Sequence, residues 1–203
     1  MNTVILIING ILQVAIFSVI PLIWWASTAR KKSSFFEWIG LKKIETEEKK
    51  TTILVFILTI ILLLVPAIFI IPNLVSQSKM ATSQFAGQGI RALLPALIYS
   101  FVTTGLSEEI FFRGFIGKRL INKFGLSTGN LAQGVLFGLL HGAMFVSIAG
   151  IVGAVVIILI TGTAGCLMGY IDEKLSKGSI VPSWLLHGCA NLCASLIAMF
   201  TLI

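Results

Sequence analysis

Long apolar runs separated by short charged segments dominate the chain. Six runs stand out, at about residues 2–26, 53–71, 90–111, 129–147, 150–170 and 181–202. Each comes close to the roughly 20 residues a helix needs to cross a bilayer. They are too long and too continuous for strands, and backbone left unpaired in lipid is costly, so the pattern predicts helices. The expected fold is all-α: a polytopic transmembrane helix bundle of about six spans. Residues 1–203 are expected to form a single membrane domain.

Lysine and arginine sharpen this picture. Seven lie in 30–50 (Arg30, Lys31, Lys32, Lys42, Lys43, Lys49, Lys50), four in 113–123 (Arg113, Lys118, Arg119, Lys123) and two in 171–179 (Lys174, Lys177). With six spans these segments share one side, and only Lys79 and Arg91 fall on the other. Excess basic charge marks the cytosolic side. The expectation is a multi-pass protein of the cell membrane with both termini outside and the three basic loops in the cytosol. No basic residue precedes the first apolar run, whereas Arg30, Lys31 and Lys32 follow it, so a retained helix is expected rather than a cleaved signal. Within 30–50, Phe35, Phe36, Trp38, Ile39 and Leu41 sit among charges. A short interfacial helix and a solvated loop with aromatic anchors both fit.

Composition agrees with a membrane. Hydrophobic residues make up 57% and charged residues 11%, against about a quarter charged in soluble domains. The net charge of +7 lies in loops, with no basic stripe interleaved with aromatics, so nucleic acid is not an expected partner. Cys166, Cys189 and Cys193 lie in apolar runs and read as small packing residues. Gly134, Gly138 and Gly142, and again Gly165 and Gly169, repeat at helical spacing. Such faces let helices approach closely, within one chain or between chains.

The chemistry sits in the later spans. Both histidines of the chain, His141 and His187, lie in apolar runs, and of eight acidic residues only Glu108 and Glu109 do. Ionisable groups in a membrane mark function by default. Glu109 and Arg113 stand at i, i+4, acid first, and can pair. Glu108 points about 100° away round the helix without that partner. It is therefore the free carboxylate, the candidate general base. Phe137 and His141 share a face at i, i+4; the ring reads as packing and the histidine as a partner for Glu108 in holding a water. His187 and Asn191 share a face likewise, and both can donate toward one point. Donors aimed at a developing oxyanion are typically worth about 2.7–4 kcal/mol each. Plain interhelical hydrogen bonding is the alternative for Asn191.

EExxxR, FxxxH and HxxxN, in that order on hydrophobic helices, resemble the CAAX-protease and bacteriocin-processing (CPBP) family, also called Abi or type II CAAX prenyl endopeptidase-like. The match rests on Glu108, Glu109 and Arg113, on Phe137 and His141, and on His187 and Asn191. It covers a motif-bearing core of about 95–200. The resemblance implies an intramembrane endopeptidase acting on a membrane-associated peptide or protein in the lipid bilayer, near the cytosolic face. Residues matching Glu108 and His141 activate a water, those matching His187 and Asn191 stabilise the oxyanion, and Glu109, Arg113 and Phe137 support the site. Eukaryotic members of the family trim prenylated proteins; bacterial members are linked to peptide processing and bacteriocin self-immunity. This chain is small, with two spans before the Glu-bearing one.

No cofactor is the first expectation. The alternative is Zn²⁺ or another divalent metal on Glu108, His141 and His187. HExxH is absent, and Asn191 would be a poor zinc ligand. The depth of His141 requires its helix to begin near Leu131. Two rivals stand beside the protease: a non-proteolytic scaffold or bacteriocin self-immunity factor of the same fold, and a proton-coupled transporter. The transporter calls for inverted repeats, which the sequence does not display.

Overall fold

The structure, a computed structural model, describes residues 3–201. Asn2 and Leu202, the outer limits of the first and last expected spans, lie outside it. The described residues are helical and contain no strand. Six elements organise them: α1 (Thr3–Thr28), α2 (Phe35–Ile39), α3 (Lys49–Phe69), α4 (Gly89–Phe124), α5 (Leu126–Leu175) and α6 (Val181–Met199).

Among the described residues, five of these helices are long and apolar enough to cross a membrane. The six expected spans map onto them because α5 folds back on itself. Gly150 breaks it at φ 68, a left-handed conformation glycine adopts without a Cβ clash. The two arms, residues 126–149 and 151–175, pack antiparallel along the glycine ladder. A Cβ on Gly134 would lie 2.3 Å from Cys166 Sγ, and one on Gly138 would lie 2.6 Å from the Ile158 carbonyl oxygen. Asn130 and Gln133 clasp the arms by donating to the Cys166 and Gly165 carbonyls, each at 2.8 Å. The ladder is thus filled within the chain.

Several boundaries differ from the sequence reading, and α5 also runs on to Leu175, past the expected 170. α4 continues to Phe124, so the basic segment 113–123 is helical. Its cations find partners without leaving the helix: Lys118 pairs with Glu173 and donates to the Gly178 carbonyl, and the Arg119 guanidinium lies 3.8 Å over the Trp38 ring. α5 begins at Leu126, earlier than Leu131, because its first turns pack on the end of α4; a Cβ on Gly129 would lie 2.4 Å from the Ile121 nitrogen. α3 begins at Lys49 rather than near residue 53. Of the two readings of 30–50, the helix is present. Ser34 caps α2 by accepting from the Glu37 N–H at 3.2 Å, and Gly40 closes it at φ 87.

The three basic segments meet at one end of the bundle. Ile180 N–H donates to the Gly40 carbonyl at 2.9 Å, Ser179 Oγ donates to the Lys42 carbonyl at 2.8 Å, and Lys177 pairs with Glu47 at 2.7 Å. Buried Ile39, Ile110 and Ile180 form a cluster beneath these contacts. At the opposite end, short turns (Ile71–Leu74, Gln77–Lys79, Ala81–Phe85) link α3 to α4. There Phe85 packs with Ala92, Ala96 and Met199.

Candidate active site

α4 is wound unusually where it carries the glutamates. Ile98–Leu106 and Ile110–Gly117 are π-helical, and Ser107–Glu109 forms a short α-turn between them. π-Helical turns recur at functional sites. Side-chain hydroxyls back the widened turns: Thr104 Oγ1 donates to the Tyr99 carbonyl at 3.0 Å and Ser107 Oγ to the Thr103 carbonyl at 2.5 Å. α6 lies close against this stretch. A Cβ on Gly188 would fall 2.3 Å from the Phe101 ring, and Trp184 Nε1 donates to the Phe101 carbonyl at 2.6 Å.

That approach brings His187 onto the glutamates. Its Nδ1 donates to Glu109 Oε1 at 2.9 Å, while its Nε2 stands 3.8 Å from Glu108 Oε2. Glu109, fully buried, also pairs with Arg113 at 3.2 Å. The Arg113 guanidinium lies 4.1 Å from the centre of the Phe137 ring, a cation–π contact. Phe137 in turn meets His141, with ring centres 4.3 Å apart. His141 Nδ1 faces the Phe137 carbonyl at 2.9 Å. A carbonyl only accepts, so Nδ1 carries the proton and Nε2 of the neutral ring is the free acceptor.

Glu108, His141, His187 and Asn191 line one cavity of about 540 Å³. Glu108 Oε2 is buried without a hydrogen-bond partner. Asn191 Nδ2 donates to Thr104 Oγ1 at 2.7 Å. The remaining walls are mainly apolar, from α3 (Leu63, Pro66), from both arms of α5 (Met144, Ile157, Met168) and from Lys79–Thr82. No lining residue belongs to 30–50, 113–123 or 171–179. His187 lies six residues into α6, whose first turn adjoins the basic segments. The cavity nevertheless extends toward the other end, because the buried Ile39, Ile110 and Ile180 cluster fills the space under the basic segments.

Residues 90–193, just over half of the chain, match the family described as type II CAAX prenyl endopeptidase, Rce1-like. The chain belongs to that family. No curated protein and no solved structure matches it. All seven motif residues of this Rce1-like chain fall inside the matched segment. Five of them, Glu108, Phe137, His141, His187 and Asn191, line the cavity, which thus holds a carboxylate without a hydrogen-bond partner at Oε2, a free imidazole nitrogen and an amide.

Three further residues of this Rce1-like chain escape motif reading. Thr104 lines the cavity and holds Asn191. It stands four residues before Glu108, so a hydroxyl on the same helical face was the available signal. Asp172 is buried and accepts from the Ser183 N–H at 3.2 Å, capping α6 from the end of α5. Ser183 precedes His187 by four. Asp172 sits in a segment that reads as loop, and nothing in the sequence marks it as buried. As for a metal, no three His, Cys, Asp or Glu side chains among the described residues are placed to hold one. Glu108, His141 and His187 share the cavity wall without forming a ligand set.

Proposed function

We propose that this protein is an intramembrane endopeptidase that hydrolyses a peptide bond of a membrane-associated peptide or protein with a Glu-activated water. The observation that carries the reading is the convergence of Glu108, His141, His187 and Asn191 on one cavity within the membrane-spanning bundle. A water in that cavity gives a proton to Glu108 as its oxygen bonds the scissile carbonyl carbon. His141 Nε2, the free acceptor because Nδ1 is engaged, takes a hydrogen bond from the water's second hydrogen, which stays on the oxygen, and so orients the attack. The carbonyl oxygen becomes an oxyanion, stabilised by an Asn191 N–H and by His187 Nε2–H when the ring is doubly protonated. The Glu109 carboxylate at Nδ1 supports that imidazolium. Glu108 then returns its proton to the leaving nitrogen as the C–N bond breaks.

The chemistry proceeds without a metal in this reading, in the half of the bundle nearer the basic segments, which face the cytosol. The scaffold reading leaves unexplained why the buried Glu108 Oε2 has no hydrogen-bond partner, and the family match lends no support to bacteriocin immunity. The deciding experiment is substrate trapping. Glu108→Gln, expressed in cells, should retain membrane peptides that wild type cleaves, identified by mass spectrometry. Glu108→Ala and His141→Ala should insert normally and cleave nothing. Full cleavage by either variant would overturn the mechanism.

A further inference from the structure

We propose that Thr104, which belongs to none of the three motifs, is a positioning residue that makes Asn191 a donor. The inference rests on the endopeptidase reading and assigns the orientation of its oxyanion-binding amide.

An asparagine amide has two ends of opposite sense, an acceptor oxygen and a donor NH₂, and a half-turn about its last bond exchanges them. In the site only the donor end is useful, because an amide oxygen facing an oxyanion repels it. Thr104 removes the ambiguity. Its Oγ1 has one hydrogen, and the Tyr99 carbonyl takes it at 3.0 Å, with the Ser100 carbonyl at 3.4 Å as second neighbour. Neither carbonyl can donate in return. What Oγ1 has left for Asn191 is a lone pair, so the amide end 2.7 Å away must be Nδ2. One Nδ2 hydrogen goes to Thr104. The other remains for the cavity that both residues line.

The π-helical winding of α4 supports this arrangement. In an α-helix a threonine hydroxyl back-bonds to the carbonyl four residues earlier. Here it reaches the fifth, because Ile98–Leu106 is wound more widely. The hydroxyl hydrogen is thereby directed along α4 and the lone pair across to α6.

The test compares Thr104→Val, which has nearly the same shape without the hydroxyl, with Thr104→Ser, which keeps it, in purified full-length protein cleaving a trapped substrate. In Thr104→Val, kcat should fall by about 10- to 100-fold with KM little changed, less than the ~10²–10³ lost with a whole oxyanion donor. Thr104→Ser should recover most of that loss. In an Asn191→Ala background, Thr104→Val should cost nothing more. Equal losses in both backgrounds would make Thr104 merely structural and overturn the proposal, as would full activity of Thr104→Val. A second arm needs no activity. NMR of ¹⁵N-labelled protein in detergent should show a nuclear Overhauser contact between the Asn191 side-chain NH₂ and Thr104. An inverted amide would overturn the assignment. If wild type cleaves no peptide while that contact is present, the endopeptidase reading fails and the amide orientation stands.

Discussion

Two neighbouring glutamates occupy opposite electrostatic situations. Glu109 is enclosed between Arg113 at 3.2 Å and His187 at 2.9 Å, whereas Glu108 faces the cavity with Oε2 unbonded. Removing one member of a buried ion pair strands the other, at a cost of about 3–5 kcal/mol. Glu109→Gln should therefore cost stability in that range, read as a lowered denaturation midpoint in detergent. Glu108→Gln should leave the midpoint where it is and remove activity instead. An unshifted midpoint for Glu109→Gln would mean that Arg113 finds another partner. The Glu109–Arg113 contact was legible in the sequence because i, i+4 spacing fixes neighbours along one helix. The bond from His187 to Glu109 was not, since spacing within a helix says nothing of what faces it from 78 residues away. The proposed metal-free chemistry makes a prediction at this scale too. With no ligand set at Glu108, His141 and His187, peptidase activity should survive dialysis against a chelator. Loss of activity that zinc restores would overturn the metal-free reading.

At the scale of elements, the contact between α4 and α6 sets how far apart the acid and the histidine stand. Gly188 is the point of closest approach, with the Phe101 ring where a Cβ would be. Gly188→Ala should push the helices apart and destabilise the fold by about 1–3 kcal/mol, the usual cost of overpacking. It should also lower activity, because His187 follows the displaced backbone. Phe101→Leu should restore part of both, and an unfolding midpoint for Gly188→Ala equal to wild type would refute the close-approach argument. Much at this scale was legible. Apolar runs gave the helices, and the spacing of Gly134, Gly138 and Gly142 gave a close-packed face. A break was visible as the gap between the expected spans 129–147 and 150–170, although Gly150, where it falls, was read as the start of the second span. The π-winding of α4 was not, because it depends on which carbonyl each hydroxyl reaches, and hydrophobic periodicity does not encode that. The helical extension to Phe124 was missed for a related reason. Charge suggests solvent, but Lys118 pairs with Glu173 at the end of α5 and Arg119 lies over Trp38 of α2.

For the whole molecule the decisive asymmetry is between its two ends. Glu47 and Lys177 join two of the basic segments as an exposed pair. The hydrogen bond to Lys177 holds the Glu47 carboxyl below its ordinary 4.5, and the same bond raises Lys177 above 10.5. The contribution of Glu47 is present above 4.5 and is lost as pH falls through its lowered value. That of Lys177 is present below 10.5 and is lost as pH rises through its raised value. Across pH 5 to 9 the pair is therefore silent, and exposed pairs of this kind are weak in physiological salt. Glu47→Gln should melt like wild type throughout that range. The backbone-carbonyl contacts at that end, Ile180 to Gly40 and Ser179 to Lys42, join two of the basic segments regardless of pH, and Lys118 ties in the third by donating to the Gly178 carbonyl. A bundle so joined can present these segments to only one side of a membrane, and Lys79 to the other. In the proposed orientation the first side, rich in lysine and arginine, is the cytosolic one. Single cysteines at Lys43, Lys123 and Lys177, in a background with Cys166, Cys189 and Cys193 replaced, should resist a membrane-impermeant thiol reagent added to intact cells and react once the membrane is opened. Lys79→Cys should react in intact cells. Labelling split among the three basic positions would contradict the bundle itself. Uniform labelling of all three in intact cells would keep the bundle and invert its orientation, moving the proposed hydrolysis to the outer half of the membrane.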